Sequence, residues 1–177
     1  MGHKHTKEEM LAGAMATALT DGLSRLTFGR VAKHLGVTDR MVVYYFPTKD
    51  DLITEVILSM GLELQQKVGQ AFATPAADYV ELVRAAWPVL ANPDADPIFG
   101  LFFEANGLAV AGQDPYASLV PQLVEAWIAW TAEFVRGTPT QRRTEAQAAI
   151  VLVDGLLLLR ALAGPKAADQ AAKRLGI

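Results

Sequence analysis

Thr38-Asp39-Arg40-Met41-Val42-Val43-Tyr44-Tyr45-Phe46-Pro47 is the stretch on which the fold turns. Met41 to Phe46, taken alone, favours a strand, because β-branched and aromatic side chains suit a pleated surface and lose freedom in a helix. Its surroundings oppose that. Thr38 is a helix-capping residue type, Pro47 stops a helix before it, and the flanking segments have helical periodicity. Propensity is a weak prior that packing overrides, so the stretch is expected to be a short helix pinned by tertiary contacts.

Working outward, Thr27 can cap a short helix with Phe28, Val31, Ala32 and Leu35 on one face, and Gly36 supplies the freedom for a tight turn. Two short helices around a glycine turn have the size of a helix-turn-helix, whose second helix enters the DNA major groove. With Val42 as the inward anchor, a step of about 100° per residue puts Thr38 and Phe46 beside it and points Arg40 and Tyr44 away. An outward guanidinium can bind guanine O6 and N7 together, and Met41 and Val43 on the flanks can touch thymine methyl groups. Arg40 is therefore the expected base reader.

Upstream, Thr6-Lys7-Glu8-Glu9 has capping-box form, and Met10, Leu11, Ala14, Met15, Ala18 and Leu19 follow at helical spacing until Asp21-Gly22. Thr48-Lys49-Asp50-Asp51 opens a long helix through about Phe72. The later breaks at Pro75, Asn92-Pro93-Asp94, Gly112 to Pro115, Gly137-Thr138-Pro139 and Gly164-Pro165 leave five more helices. These run from about Ala76 to Ala91, Pro97 to Ala111, Tyr116 to Arg136, Thr140 to Ala163 and Lys166 to Leu175. The expected class is all-α, with about nine helices.

Composition narrows the functions. The chain has 177 residues, 51% of them hydrophobic, enough for a substantial core. No secretory leader is visible, and the apolar run from Ala148 to Ala163 contains Asp154 and Arg160 and is expected to be too short and too charged to span a bilayer. A cytoplasmic location with no membrane partner is the expectation. Cysteine is absent, which excludes disulfides, thiolate nucleophiles and cysteine metal sites. The net charge of −3 is unevenly distributed. From Gly22 to Lys49, Arg25, Arg30, Lys33, Arg40 and Lys49 face only Asp39, a balance of +4, whereas from Asp51 onward nine bases meet fourteen acids, a balance of −5. A basic head on an acidic body suggests two tasks.

Leu26-Thr27, Val31-Ala32, Leu35-Gly36-Val37-Thr38, Tyr44-Tyr45-Phe46, Lys49 and Leu52 together resemble the signature of TetR-type transcriptional regulators over roughly Met10 to Ile57. The resemblance implies a three-helix DNA-binding head, a fourth helix leading into a ligand-binding body, and a homodimer formed mainly by the last two long helices. Residues 1–48 would then be the DNA-binding domain and 49–177 the ligand-binding and dimerisation domain. By position, Thr27 and Thr38 would cap helices near phosphates, Arg40 and Met41 would face bases, Tyr44 and Tyr45 would meet base or backbone, and Lys49 would hold a phosphate. Two positions depart from the usual pattern: Val43 where Tyr is usual, and Tyr45 where His is frequent. Asp39 is open to three roles: a cytosine N4 acceptor, a device against wrong sites, or a helix N-terminal charge. His3, Lys4 and His5 are open to two readings, a basic arm with weak metal affinity or a disordered terminus.

The body is rich in aromatic residues. Trp87, Phe99, Phe102, Phe103, Trp127 and Trp130, with Glu104, Asn106 and Asp154 as polar groups in apolar segments, are the expected pocket residues, although aromatic rings at helical spacing also simply fill cores. Ala148 to Leu162 is apolar nearly all round, and Ala167, Ala168, Ala171, Ala172 and Leu175 form a small-residue stripe. Both suit a four-helix interface with two helices from each subunit. No nucleotide, hydrolase or zinc motif is present, and all three His precede Lys49, so neither catalysis, a metal nor a cofactor is expected. The expected function is a ligand-responsive repressor, a homodimer on a near-palindromic operator released by a small hydrophobic effector. The alternative is a helical small-molecule-binding or adaptor protein that has lost sequence-specific DNA binding.

Overall fold

A computed structural model describes residues 6–177. Among the described residues it has nine α-helices: α1 (Lys7–Asp21), α2 (Phe28–Leu35), α3 (Asp39–Tyr45), α4 (Lys49–Gly69), α5 (Tyr79–Leu90), α6 (Asp96–Val110), α7 (Tyr116–Ala132), α8 (Pro139–Ala163) and α9 (Pro165–Arg174). The all-α expectation is met, and the strand-prone stretch is the helix α3.

Helix starts follow from side chains that satisfy otherwise orphaned N–H groups. Thr6 and Glu9 form a reciprocal capping box at α1, with the Glu9 N–H donating to Thr6 Oγ1 at 3.2 Å and the Thr6 N–H to Glu9 Oε2 at 3.1 Å. Thr138 and Gln141 do the same at α8, where Pro139 occupies the first helical position. Asp51 and Thr48 exchange equivalent bonds at α4.

Helix α4 ends at Gly69 instead of near Phe72, because the Ala71 and Phe72 N–H groups donate to the Val68 and Gly69 carbonyls in tighter turn bonds. Two more boundaries differ from expectation, for one reason. α5 starts at Tyr79 instead of near Ala76, and α7 ends at Ala132 instead of near Arg136. The Ala76 N–H donates to the Phe134 carbonyl at 2.8 Å and the Arg136 N–H to the Ala76 carbonyl at 2.9 Å, an isolated parallel bridge. Backbone groups paired in this way cannot also continue a helix.

The chain forms two compact units. One comprises the residues through Glu63 with Leu101–Leu119, the other Leu64–Gly100 with Val120–Ile177. Helices α4, α6 and α7 therefore each supply residues to both.

In the first unit, α1, α2 and α3 pack on one another. Met10, Ala14, Val31 and Val42 are fully buried, and Ala32 and Phe46 nearly so. Each fully buried large apolar side chain contributes about 1.5–3 kcal/mol. Gly13 permits the close approach of α1 and α2, since a Cβ there would lie 2.5 Å from Leu35 Cγ.

In the second unit, α8 packs on α5 and α9. Ala76, Leu82, Val83, Val135 and Ala149 form a buried cluster flanked by Phe72, Phe134, Leu152 and Val153. Arg160 lies in the middle of this apolar helix with a side chain only 5% exposed, held by Asp96 through Nε–Oδ1 at 2.6 Å and Nη2–Oδ2 at 3.1 Å. A planar guanidinium on a carboxylate gives the two-pronged geometry that makes burying such a charge tolerable. Ala168 and Ala172 are buried within the chain, so that part of the small-residue stripe serves the subunit's own packing. Val151, Leu158 and Leu162 of α8 are exposed instead, at 74%, 43% and 80%.

At 25 residues, α8 is long and apolar enough to cross a membrane by length and composition alone. The expectation of a run too short for that needs correction, because the helix extends well before Ala148. Asp154, also in α8, has no hydrogen bond or ion pair with a described residue, and burial pushes its carboxyl up to about 6.

Two outcomes are expected. Gly13→Val should cost about 1–3 kcal/mol in urea denaturation, because the added side chain must displace Leu35. For Asp154 the fold disfavours the ionised form, so its penalty is absent below the ordinary value of 3.8, grows as pH rises through about 6 and is complete above it. Asp154→Asn should therefore stabilise the protein by about 2–3 kcal/mol at pH 8 and by nothing measurable at pH 3.5.

Candidate nucleic-acid interface

The helix-turn-helix is built from α2, a two-residue turn and α3. Thr27 caps α2 by accepting the Arg30 N–H at 3.3 Å. Gly36 then adopts φ 68° and ψ 30°, a left-handed conformation that other residues reach only with strain, and the Val37 N–H returns to the Ala32 carbonyl at 3.0 Å. The chain reverses there and enters α3. Val42 and Phe46 hold that short helix down, being 0% and 1% exposed.

Burial on one side leaves the other side free. Arg40 is exposed and makes no ion pair with a described residue. Met41, Val43 and Tyr44 flank it at 36%, 38% and 78% exposure, and Tyr44 stands edge-on to the half-buried Tyr45 with ring centroids 5.0 Å apart. Thr27, Thr38, Asp39 and Lys49 are exposed as well. Among the bases, Arg30 is engaged by Asp21 at 2.5 Å, whereas Arg25, Lys33, Arg40 and Lys49 are exposed without an ion pair to a described residue.

Thr38 requires a correction. It was expected on the core face beside Val42, yet it is exposed, and although it occupies the capping position its side chain makes no capping bond. Its backbone is extended, with φ −89° and ψ 150°, so the helical angle count does not reach it. Asp39 also has a definite position: a Cβ on Gly29 would be 3.3 Å from its Oδ2. The carboxylate thus lies against the first turn of α2 as well as at the start of α3, near the positive end of both helices. The His3-Lys4-His5 segment lies outside the described residues.

The expected pocket residues divide between the two units. Phe102, Phe103, Glu104 and Asn106 belong to the first, and Phe102 and Phe103 meet at 5.4 Å between ring centroids. Trp87, Phe99, Trp127, Trp130 and Asp154 belong to the second. Trp87 and Phe99 are buried. Trp127 and Trp130 are half-buried and join a continuous aromatic stack: centroid distances are 5.2 Å from Trp127 to Trp130, 4.9 Å from Trp130 to Phe134 and 4.6 Å from Phe134 to Phe72. Phe72 was not among the expected site residues. It follows the end of α4, in a turn where the sequence reading continues the helix.

Glu104 does something the sequence did not signal. Its Oε2 accepts the Leu23 N–H at 2.8 Å and its Oε1 the Ser24 N–H at 2.9 Å, so it caps the turn between α1 and α2. Burial raises its carboxyl, but bonds from Ser24 and Leu23, aided by the charge of Arg25, outweigh that and hold it below the usual range. Gly22, at φ 89°, brings the turn close, since a Cβ there would sit 3.1 Å from Glu104 Oε2.

Comparison with known proteins agrees with this geometry. Residues 10–56 match the family model for bacterial regulatory proteins of the tetR family. No curated protein matches the sequence. Among solved structures, a transcriptional regulator from Rhodococcus sp. Rha1 is 20% identical with a TM-score of 0.75, over 97% of this chain and 94% of that one. A TetR transcriptional regulator from Legionella pneumophila is 22% identical with a TM-score of 0.65, over 98% and 96% of the two chains. The multidrug binding protein EbrR, solved with proflavin, is 22% identical with a TM-score of 0.65, over 96% and 98%. At these identities the structures establish a shared fold, and the matched segment is the one that forms the helix-turn-helix. Over residues 10–56 the chain is similar to the tetR family of bacterial regulatory proteins, and the fold of the whole chain is the one that these transcriptional regulators share.

Proposed function

We propose that the protein is a ligand-responsive transcriptional repressor that binds a near-palindromic operator as a homodimer and lets go when a small apolar or aromatic effector occupies its body. The observation that carries this reading is Arg40: an exposed guanidinium, without a competing carboxylate, at the centre of the outward face of a helix whose inward face is sealed by Val42. Residues 1–48 serve as the DNA-binding head and 49–177 as the ligand-binding and dimerisation body, in the cytoplasm. Thr27, Thr38 and Lys49 contact phosphates, Arg40, Met41 and Val43 meet base edges, and Tyr44 and Tyr45 meet base or backbone. Asp39 acts mainly through helix charge.

Two features support the remainder. The exposed apolar line of Val151, Leu158 and Leu162 on α8 suits coverage by the same line on a second copy, which a two-fold axis would align. Such a dimer would set the two recognition helices about 34–36 Å apart, one duplex turn. The half-buried aromatic stack and Asp154 suit an aromatic effector. EbrR, of similar fold, was solved with proflavin, a flat aromatic cation.

Selection from a random duplex pool should return a near-palindrome whose binding weakens steeply with salt. Arg40→Ala should relax one base position in each half-site by about 5- to 150-fold, equivalent to about 1–3 kcal/mol, whereas Lys49→Ala should weaken all sequences alike and flatten the salt dependence. An Arg40→Ala protein that ranks the pool as wild type does would remove the base-reading role and favour the adaptor alternative. By sedimentation, wild type should be dimeric and Leu162→Asp should shift it toward monomer; a monomeric wild type would end the two-fold operator model.

A further inference from the structure

We propose that Glu104 is a positioning residue for DNA binding, holding the α1–α2 turn in place. The proposal rests on the DNA-binding reading above and concerns how the head's geometry is maintained.

Glu104 accepts two successive backbone N–H groups, from Leu23 and Ser24, across 80 or more residues of sequence. These two groups lie between α1 and α2, where no helix satisfies them. The turn's conformation also favours Gly22, whose positive φ would strain any other residue and whose Cβ would crowd the Glu104 carboxylate. A carboxylate that accepts two backbone bonds holds the turn's direction as well as its position. The turn in turn sets where α2 begins, and α2 is the helix on which α3 packs.

Amide exchange by NMR on the full chain, with duplex binding measured in parallel, tests the proposal without any effector. Glu104→Ala should speed exchange at Leu23 and Ser24 and weaken operator binding without changing its salt slope, and Glu104→Gln should recover part of both. Unchanged exchange at Leu23 and Ser24 in a folded Glu104→Ala protein overturns the hold on the turn. If that variant does not fold, Glu104→Gln decides alone by the same two readouts. Wild-type operator affinity in Glu104→Ala overturns the positioning role. A wild-type protein that binds no duplex rejects the DNA reading itself, and the exchange results still decide whether Glu104 holds the turn.

Discussion

The burial of Val42, with Phe46 beside it, is the constraint on which the head depends. Met41 to Tyr45 has no intrinsic reason to be helical, and α3 has only seven residues, too few for a stable helix in water. It is helical because Val42 is completely enclosed and because α2 and the Gly36 turn deliver the chain to it in one direction. An extended chain would place alternate residues on opposite faces and could not seal Val42 while leaving Arg40, Met41, Val43 and Tyr44 exposed together. The outward face thus exists as a consequence of the inward one.

Helix ends and charges outside α3 follow a similar economy. Polar groups within apolar surroundings are each given a partner where the fold needs rigidity: Arg160 by Asp96, and the α1–α2 turn by Glu104. Where they lack one, as at Asp154 and the Tyr116 hydroxyl, the protein carries a standing cost that an apolar residue would avoid. α6 supplies both carboxylates of the partnered set, Asp96 and Glu104.

Much of the head was legible from sequence because its signals are local. Thr6 and Glu9 announce a capping box three residues apart, Gly36 marks a turn that needs positive φ, and the apolar spacing of Val31, Ala32 and Leu35 gives the buried face. The angular count from Val42 correctly sent Arg40 and Tyr44 outward, and it failed at Thr38, where the backbone is no longer helical. The body was less legible. Aromatic residues at helical spacing indicated helices without distinguishing Trp87 and Phe99, which are buried, from Trp127 and Trp130, which keep one side open. The ends of α5 and α7 were misplaced because the Ala76–Val135 bridge joins residues far apart in sequence.

Sequence alone determined the all-helical class, the helix order, the glycine turn, the family resemblance of the first third and the concentration of positive charge there, because caps, breakers and periodicity act within a few residues. Tertiary structure decided that Glu104 serves a backbone turn, that Arg160 is buried on Asp96, that Asp39 lies on α2, and that Ala168 and Ala172 face inward while Val151 and Leu162 do not. Each of these depends on which surfaces meet after the chain has folded back on itself, and the geometry of such meetings is set by packing between distant segments, which no local pattern encodes.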